Sequence, residues 1–332
     1  MKRICMMAVI PFECLAVMAC GQVKSGRESM GENAPGQKNG LAQVYMIKEI
    51  TPENLVRVYE ALGRPATGRV AVKLSTGEPG GNHFLQPFLI KDLVQKVNGT
   101  IVECNTAYEG GRAKTADHLK AAEEHGFTAI AKVDIMDAEG EIALPVKGGK
   151  HLKEDFVGSH YPDYDFTVVL SHFKGHAMGG FGGAVKNISI GIASSSGKAW
   201  IHSAGKTKNT SEMWGNFPPQ DDFLESMAEA AKAVADHCGE QILYINVANN
   251  LSVDCDCDAH PEAPKMGDIG ILASLDPVAL DQACVDLVYA SEDPGKIHLI
   301  ERMESRHGIH TLEHGEAIGL GSRKYELIHL DK

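Results

Sequence analysis

Short apolar, β-rich runs alternate with stretches of helical periodicity along the chain after residue 40. Val44 to Ile50, Arg69 to Leu74, Thr100 to Cys104, Phe166 to Leu170, Gln241 to Val247, Ile269 to Ala273 and Tyr325 to Leu330 read as strands. Helical patterns lie between them. Thr51-Pro52-Glu53 supplies an N-cap and a proline for the first helical position, and Asp276-Pro277 opens the helix running to Tyr289. Further helices cover Gln86 to Val97, Lys114 to His125 and the Ala-rich Asp221 to His237. Strands alternating with helices imply an α/β fold of mostly parallel sheets with helices on both faces, here expected as two lobes with the site between them.

The segments left outside this alternation carry the unusual residues. They are 75–83, 105–113, 174–220 and 248–267. Polar, Gly-rich loops after parallel strands are where α/β proteins place ligands. The 174–220 segment is too long for an idle connection.

Residues 1–20 differ from the rest. Lys2 and Arg3 precede a short apolar stretch that ends in Val17-Met18-Ala19-Cys20. A basic start before a short apolar run reads as a secretory leader. Its end resembles a lipobox, which implies cleavage before Cys20 and a lipid on its thiol. The expectation is an exported lipoprotein, attached to the membrane only through that lipid (or a cytoplasmic protein if the leader is not cleaved), with 21–40 as a flexible tether and 41–332 as the α/β domain. The net charge of −12 and the lack of any Lys/Arg run exclude a general nucleic-acid role. Outside the leader, Cys104, Cys238, Cys255, Cys257 and Cys284 remain, an odd number that does not suit a disulfide-stapled fold. Cys238 and Cys284 fall in helical patterns as small buried groups.

The chemistry concentrates in two segments. Ser171 to Lys186 follows an apolar strand and holds His172, His176, Gly180, Gly182, Gly183 and Lys186. Its glycines allow close backbone approach to a ligand and convergence of N–H groups on an anion. His202 follows sixteen residues after Lys186 and is a candidate metal ligand. The Gly205-Lys206-Thr207 triplet is not a phosphate loop, because Trp200 stands where the leading glycine belongs. The second segment is Asp254-Cys255-Asp256-Cys257-Asp258, near His260. Its two thiols suit a soft metal or a redox pair, with aspartates as further partners. Ser75 and Thr76, after the second strand, are candidates for holding a cofactor or phosphate. His310 and His314 share a helix face and read as a solvated surface.

Ser171 to Ile192, Asp254 to Asp286 and Ile318-Gly319-Leu320-Gly321 resemble the domain-of-unknown-function 362 family, whose members are associated with iron–sulfur proteins. The ferredoxin insert of some members has no counterpart here. The glycine-rich stretch is more distantly similar to the catalytic loop of nickel-pincer lactate racemases, with His176, Gly180, Gly183, Lys186, Gly191 and His202 in the corresponding steps. That resemblance implies that Lys186 holds a nickel-pincer nucleotide, His202 ligates its metal and His176 acts as general acid/base. The second catalytic histidine of that family has no counterpart at Asn105-Thr106-Ala107-Tyr108.

Three functions follow as expectations. The first is a metal-dependent enzyme for redox or hydride transfer on a small polar substrate, with His176 and Lys186 catalytic. Lys186, Gly180, Gly182, Gly183, Ser75 and Thr76 would hold the cofactor, and His202, Cys255, Cys257 and His172 the metal. The second is a non-catalytic metal or iron–sulfur protein. The third is a binding module that uses the glycine loop as a contact patch.

Overall fold

The computed structural model describes Gln37–Lys38 and residues 40–331. The leader and Cys20 lie outside these residues. The described part belongs to one compact unit built on a nine-stranded sheet. Eight strands lie side by side in the order Gln37–Lys38, Leu41–Ile47, Gly270–Ser274, Ile242–Ala248, Phe166–His172, Val70–Lys73, Gly99–Glu103, Val133–Ile135. Tyr325–His329 also pairs with Leu41–Ile47. The pairings from Ile242–Ala248 to Val133–Ile135 are all parallel, and Gly270–Ser274 is antiparallel to both of its neighbours.

Alternate side chains on the strands feed two cores. Val70, Val72, Val168, Leu170, Ile245 and Ile271 join one. Ala71, Val169, Tyr244 and Leu272 join the other. This is the period of two expected of strands covered on both faces. Helices Pro52–Ala61 and Pro87–Lys96 cover the first face. Helices Gln220–Cys238, Pro277–Ala290 and His310–Ala317 contribute to the second. The sequence signals for two helix starts hold: Thr51 Oγ1 accepts from Asn54 N, and the Asp276 carboxylate accepts from Val278 N and Ala279 N. Among the described residues no helix is long and apolar enough to cross a membrane.

Two readings change. The 174–220 segment is not a loop. It folds into a hairpin, Lys174–His176 with Gly180–Gly182, and then helices Ala184–Ser189, Ser195–His202 and Thr210–Met213. Glycines kept its periodicity too weak to read. A second hairpin, Glu141–Pro145 with Glu154–Gly158, also lies outside the strands read from the sequence, because its strands are short and their apolar and polar positions do not track burial: Ala143 and Pro145 are exposed while Asp155 is buried.

The strand order fixes where a ligand can sit. From Val70–Lys73 the chain crosses to Gly99–Glu103 on one side; from Phe166–His172 it crosses to Ile242–Ala248 on the other. The two connections diverge between neighbouring strands and open a crevice beyond their carboxyl ends. The two halves of the sheet flank that crevice.

Candidate functional site

A cavity of about 380 Å³ occupies the crevice. The first parallel strand brings Lys73 to it, the second Glu103, and the central strand Ser171 and His172. The hairpin adds Lys174 and His176. The two short helices that follow add Lys186, Asn187, Lys198 and His202, and the 250–257 loop adds Cys255, Asp256 and Cys257. Residues more than a hundred positions apart thus meet at one place.

Lys186 is held by its neighbours in sequence. Its helix, Ala184–Ser189, has no N-cap side chain of its own. The buried Asp281 carboxylate from Pro277–Ala290 accepts from Ala184 N at 2.7 Å and Val185 N at 2.9 Å, and also from Asn246 Nδ2 at 2.7 Å. Asn187 then ties the helix to two strand ends: its Nδ2 donates to Lys73 O and Leu170 O, while its Oδ1 accepts from Lys73 Nζ at 3.0 Å. Among the described residues Lys186 Nζ makes no hydrogen bond or ion pair. Burial, reinforced by Lys174 and Lys73, brings its ammonium down to about 8.

The hydrogen-bond network assigns the two histidines opposite tautomers. His176 is buried, and its Nδ1 accepts from Gly179 N at 2.9 Å and Met178 N at 3.3 Å. The neutral ring therefore carries its proton on Nε2. Burial and the surrounding positive charges, Lys186 foremost, hold it well below the ordinary histidine range. His202 Nδ1 donates to Lys198 O at 2.7 Å, which leaves the Nε2 lone pair free, and the ring stacks on Phe223. Burial pushes His202 down to about 4. A neutral imidazole with Nδ1–H fixed on a carbonyl is the form that ligates metals.

Charge distinguishes this cavity from the rest of an acidic protein. Five cationic side chains line it, Lys73, Arg112, Lys174, Lys186 and Lys198, against two carboxylates, Glu103 and Asp256. Glu103 is buried, but His118, Arg112 and Lys73 outweigh that burial and hold it well below the usual carboxylate range. Arg112 also bonds Glu78 at 2.9 Å, which fixes its guanidinium. Asp256 pairs with Lys174 Nζ and lies 3.2 Å from His172 Nδ1. Positive charge remains in excess on the walls, so the cavity is built for an anion.

Several expected site residues take other roles. Both ring nitrogens of His172 are engaged: Nε2 donates to Asn249 O at 2.6 Å, while Nδ1 faces Lys174 and Asp256. His172 therefore offers no free lone pair to a metal. Thr76 lies behind the wall, with its N–H and Oγ1 both donating to Glu103. Gly180, at φ +80°, backs the hairpin onto Gly308 and Met303 and does not line the cavity. Gly182, Gly183 and Ser75 do line it.

Cys255 and Cys257 are joined in a disulfide. A sulfur atom of each lies within 4.8 Å of a His176 ring nitrogen. As a disulfide the pair holds no thiolate, so the expected thiolate ligands are not available in this oxidation state. The free thiols Cys104, Cys238 and Cys284 do not complete a cluster site. Cys104 donates to Ile192 O and burial raises it to about 12; Cys238 pairs with Tyr161, and Cys284 lies in the core beside Asn246. The donor set of the described residues does not fit an iron–sulfur cluster.

Sequence reading did not single out Lys174 and Lys198. Lys174 alternates with two histidines in a glycine-rich run, a position that signals a strand only once the hairpin is known. Lys198 lies in the helix Ser195–His202, where a lysine reads as solvent-facing. Its Nζ instead donates to Ala193 O at 2.5 Å.

A profile described as Domain of unknown function (DUF362) matches residues 70–286. No curated protein matches the chain. Among solved structures, the lactate racemase apoprotein from Thermoanaerobacterium thermosaccharolyticum aligns at TM-score 0.38 and 15% identity, over 62% of this chain and 50% of that one. A structural-genomics protein from Thermotoga maritima aligns at TM-score 0.40 and 13% identity, over 73% of this chain and 60% of that one. The chain thus spans about half the length of the first and 60% of the second. Neither likeness bears on the chemistry of the cavity.

Proposed function

The chain belongs to the domain-of-unknown-function 362 family, and we propose that within it this protein is an enzyme for proton or hydride transfer on a small anionic substrate, such as a carboxylate, bound in the crevice. The observation that carries this reading is the convergence of a free amine (Lys186), an imidazole N–H donor (His176) and a metal-competent imidazole (His202) in one cationic cavity.

Each group has a task that follows from its state. The wall's unpaired positive charge, chiefly Lys198, binds the substrate's negative charge and orients it. His176 donates a hydrogen bond from Nε2 to a substrate oxygen. Its neutral form polarises that oxygen as a fixed electrophile, because surrendering the proton would leave an imidazolate. The general acid/base role expected of His176 thus gives way to that of a donor. Lys186, with its ammonium near 8, is a free base in part of the population at neutral pH and takes or returns the proton.

A nickel-pincer nucleotide fits the donor set. Lys186 would hold it through its amine and leave the substrate's hydroxyl proton to the Lys73 amine, which burial also brings down to about 8; His202 Nε2 would ligate the metal, and the rest of the cationic wall would meet its phosphate. When bound, that group supplies a hydride-accepting carbon. Substrate orientation, charge neutralisation and oxygen polarisation stay with the same protein residues.

The test starts from protein purified without oxygen. Intact mass and elemental analysis read any adduct on Lys186 and the metal. Across a panel of small 2-hydroxy and 2-keto acids, exchange of the substrate α-hydrogen with deuterated water reads proton transfer, and turnover that retains an α-deuterium label in ordinary water reads hydride transfer. The proposal expects one of the two, lost in Lys186→Met. Small carboxylates that neither bind nor exchange would sink it, and metal binding without either would favour a non-catalytic metal protein.

A further inference from the structure

His310 and His314 do not form a solvated face; they meet Glu225 and Glu229, with Nε2 at 3.1 and 3.2 Å. The crevice itself holds a reactive pair that the transfer chemistry leaves unused. Cys255 and Cys257, joined in a disulfide, are half-buried and both line the cavity. A structural cross-link stabilises chiefly by closing a long loop of the unfolded chain, and this one spans a single intervening residue. The segment is also held without it. Asp256 pairs with Lys174, its carbonyl accepts from Glu78 N at 2.9 Å, and Cys257 O accepts from Tyr108 Oη at 3.4 Å. Upstream, Arg302 Nη1 donates to Val253 O at 2.6 Å and Gly175 N to Ser252 O at 2.9 Å. Opening the bond therefore leaves the loop in place, with both sulfurs still on the cavity wall.

We propose that Cys255–Cys257 is a redox-active disulfide, a two-electron site that exchanges with small dithiols entering the crevice. The Cys257 N–H donates to Cys255 Sγ at 3.3 Å, and a donor on a sulfur stabilises the thiolate it becomes. Cys255 is therefore the leaving sulfur and Cys257 the one attacked. The wall carries Lys186 and Lys198, and a His176 ring nitrogen lies within 4.8 Å of a sulfur of each cysteine. Positive surroundings draw an incoming thiolate and hold the outgoing one. The tautomer of His176 separates this role from metal binding. Its Nδ1 lone pair is taken by the Gly179 and Met178 N–H groups and its Nε2 carries the proton, so the reduced thiols gain no imidazole ligand from it.

The exchange runs in two displacements. One thiolate of the dithiol bonds to Cys257 Sγ, and the Cys255–Cys257 bond breaks with its electron pair leaving on Cys255 Sγ. The dithiol's second thiolate then bonds to its own first sulfur, and the mixed bond breaks with its pair leaving on Cys257 Sγ. The dithiol becomes a disulfide, two electrons pass to the protein, and the two thiol protons end on Cys255 and Cys257. A small disulfide reverses the sequence. Cys104 also lines the cavity but takes no part: it is buried, donates to Ile192 O, and burial raises it to about 12.

The probe is dithiothreitol, added to the full chain without oxygen or denaturant. Alkylation and peptide mass spectrometry then read the 255–257 segment. The expected result is that both cysteines become alkylated in the folded protein, that the melting temperature is nearly unchanged, and that glutathione disulfide restores the bond. No substrate enters this measurement, so it is independent of the transfer reaction proposed above. Two variants test the direction of attack. With iodoacetamide at neutral pH, the thiol left in Cys257→Ser should react on the order of tenfold faster than the one left in Cys255→Ser. A bond that dithiothreitol opens only after urea unfolds the chain, or whose reduction unfolds it, overturns the proposal and leaves a structural cross-link. Thiols that glutathione disulfide does not oxidise overturn it equally, and equal alkylation rates overturn the choice of Cys255 as leaving sulfur.

Discussion

His176 and His202 contribute to one cavity with opposite hydrogen content on Nε2. The Gly179 N–H fixes the first as a donor, and the Lys198 carbonyl fixes the second as a lone-pair holder. Metal binding in the crevice should therefore weaken on the order of tenfold or more in His202→Gln. In His176→Phe the metal stays and turnover falls. Metal content and kcat of the two variants, measured side by side, test the division of roles. Equal metal loss in both would contradict it.

The depressed His202 has a stability consequence. Its folded value is about 4 against an ordinary 6.5. Between those values the unfolded chain takes a proton that the folded chain refuses. The contribution is fully present above pH 6.5 and is lost as the pH falls toward 4, to a limit of about 3 kcal/mol. Urea midpoints at pH 7 and pH 4.5 should therefore converge more in His202→Gln than in the parent protein. An identical acid loss in both would show that His202 does not titrate there.

Lys186 should be the fast-reacting lysine of the crevice. Burial and the neighbouring ammonium groups bring it to about 8, so the nucleophilic free amine appears well below the range of exposed lysines. Labelling with an amine-reactive anionic probe, read by peptide mass spectrometry, should show its rate rising to a plateau just above pH 8. Competition by a small carboxylate should slow it.

Asp256 compensates the buried Lys174. Replacing it by Asn leaves a buried ammonium without its partner, at a cost of about 3–5 kcal/mol. Lys174→Met added to Asp256→Asn should recover much of the loss, because the stranded charge is then gone. Denaturant midpoints of the two single variants and the double variant give the coupling.

Gly175 carries the approach of the 250–257 loop to the hairpin. A Cβ there would stand 2.4 Å from Val253 O and 2.6 Å from Val253 Cα, both backbone atoms that cannot rotate away. Gly175→Ala should cost about 1–3 kcal/mol and should displace the Cys255–Cys257 segment from the cavity wall. Calorimetric titration with the ligand found for the parent protein should show weakened binding.

The sequence alone determined the alternation of strands and helices. Apolar runs with capped starts at Thr51 and Asp276 are local signals, and the structure forms both helices where those signals stand. It also pointed to the glycine-rich stretch from Ser171 to Lys186 and to His202, because residue types with few structural uses are concentrated there. Only the tertiary structure decided which of these face the cavity and in what state. The tautomers of His176 and His202 are set by backbone groups, and the lowered Lys186 first by burial and then by Lys174 and Lys73. Thr76 was lost to the site because Glu103 took up its polar atoms, and His172, which lines the cavity, was lost as a metal ligand because Asn249, far away in sequence, engages its Nε2. Local patterning encodes what a segment becomes; burial, charge state and which side chains meet depend on neighbours that sequence distance hides.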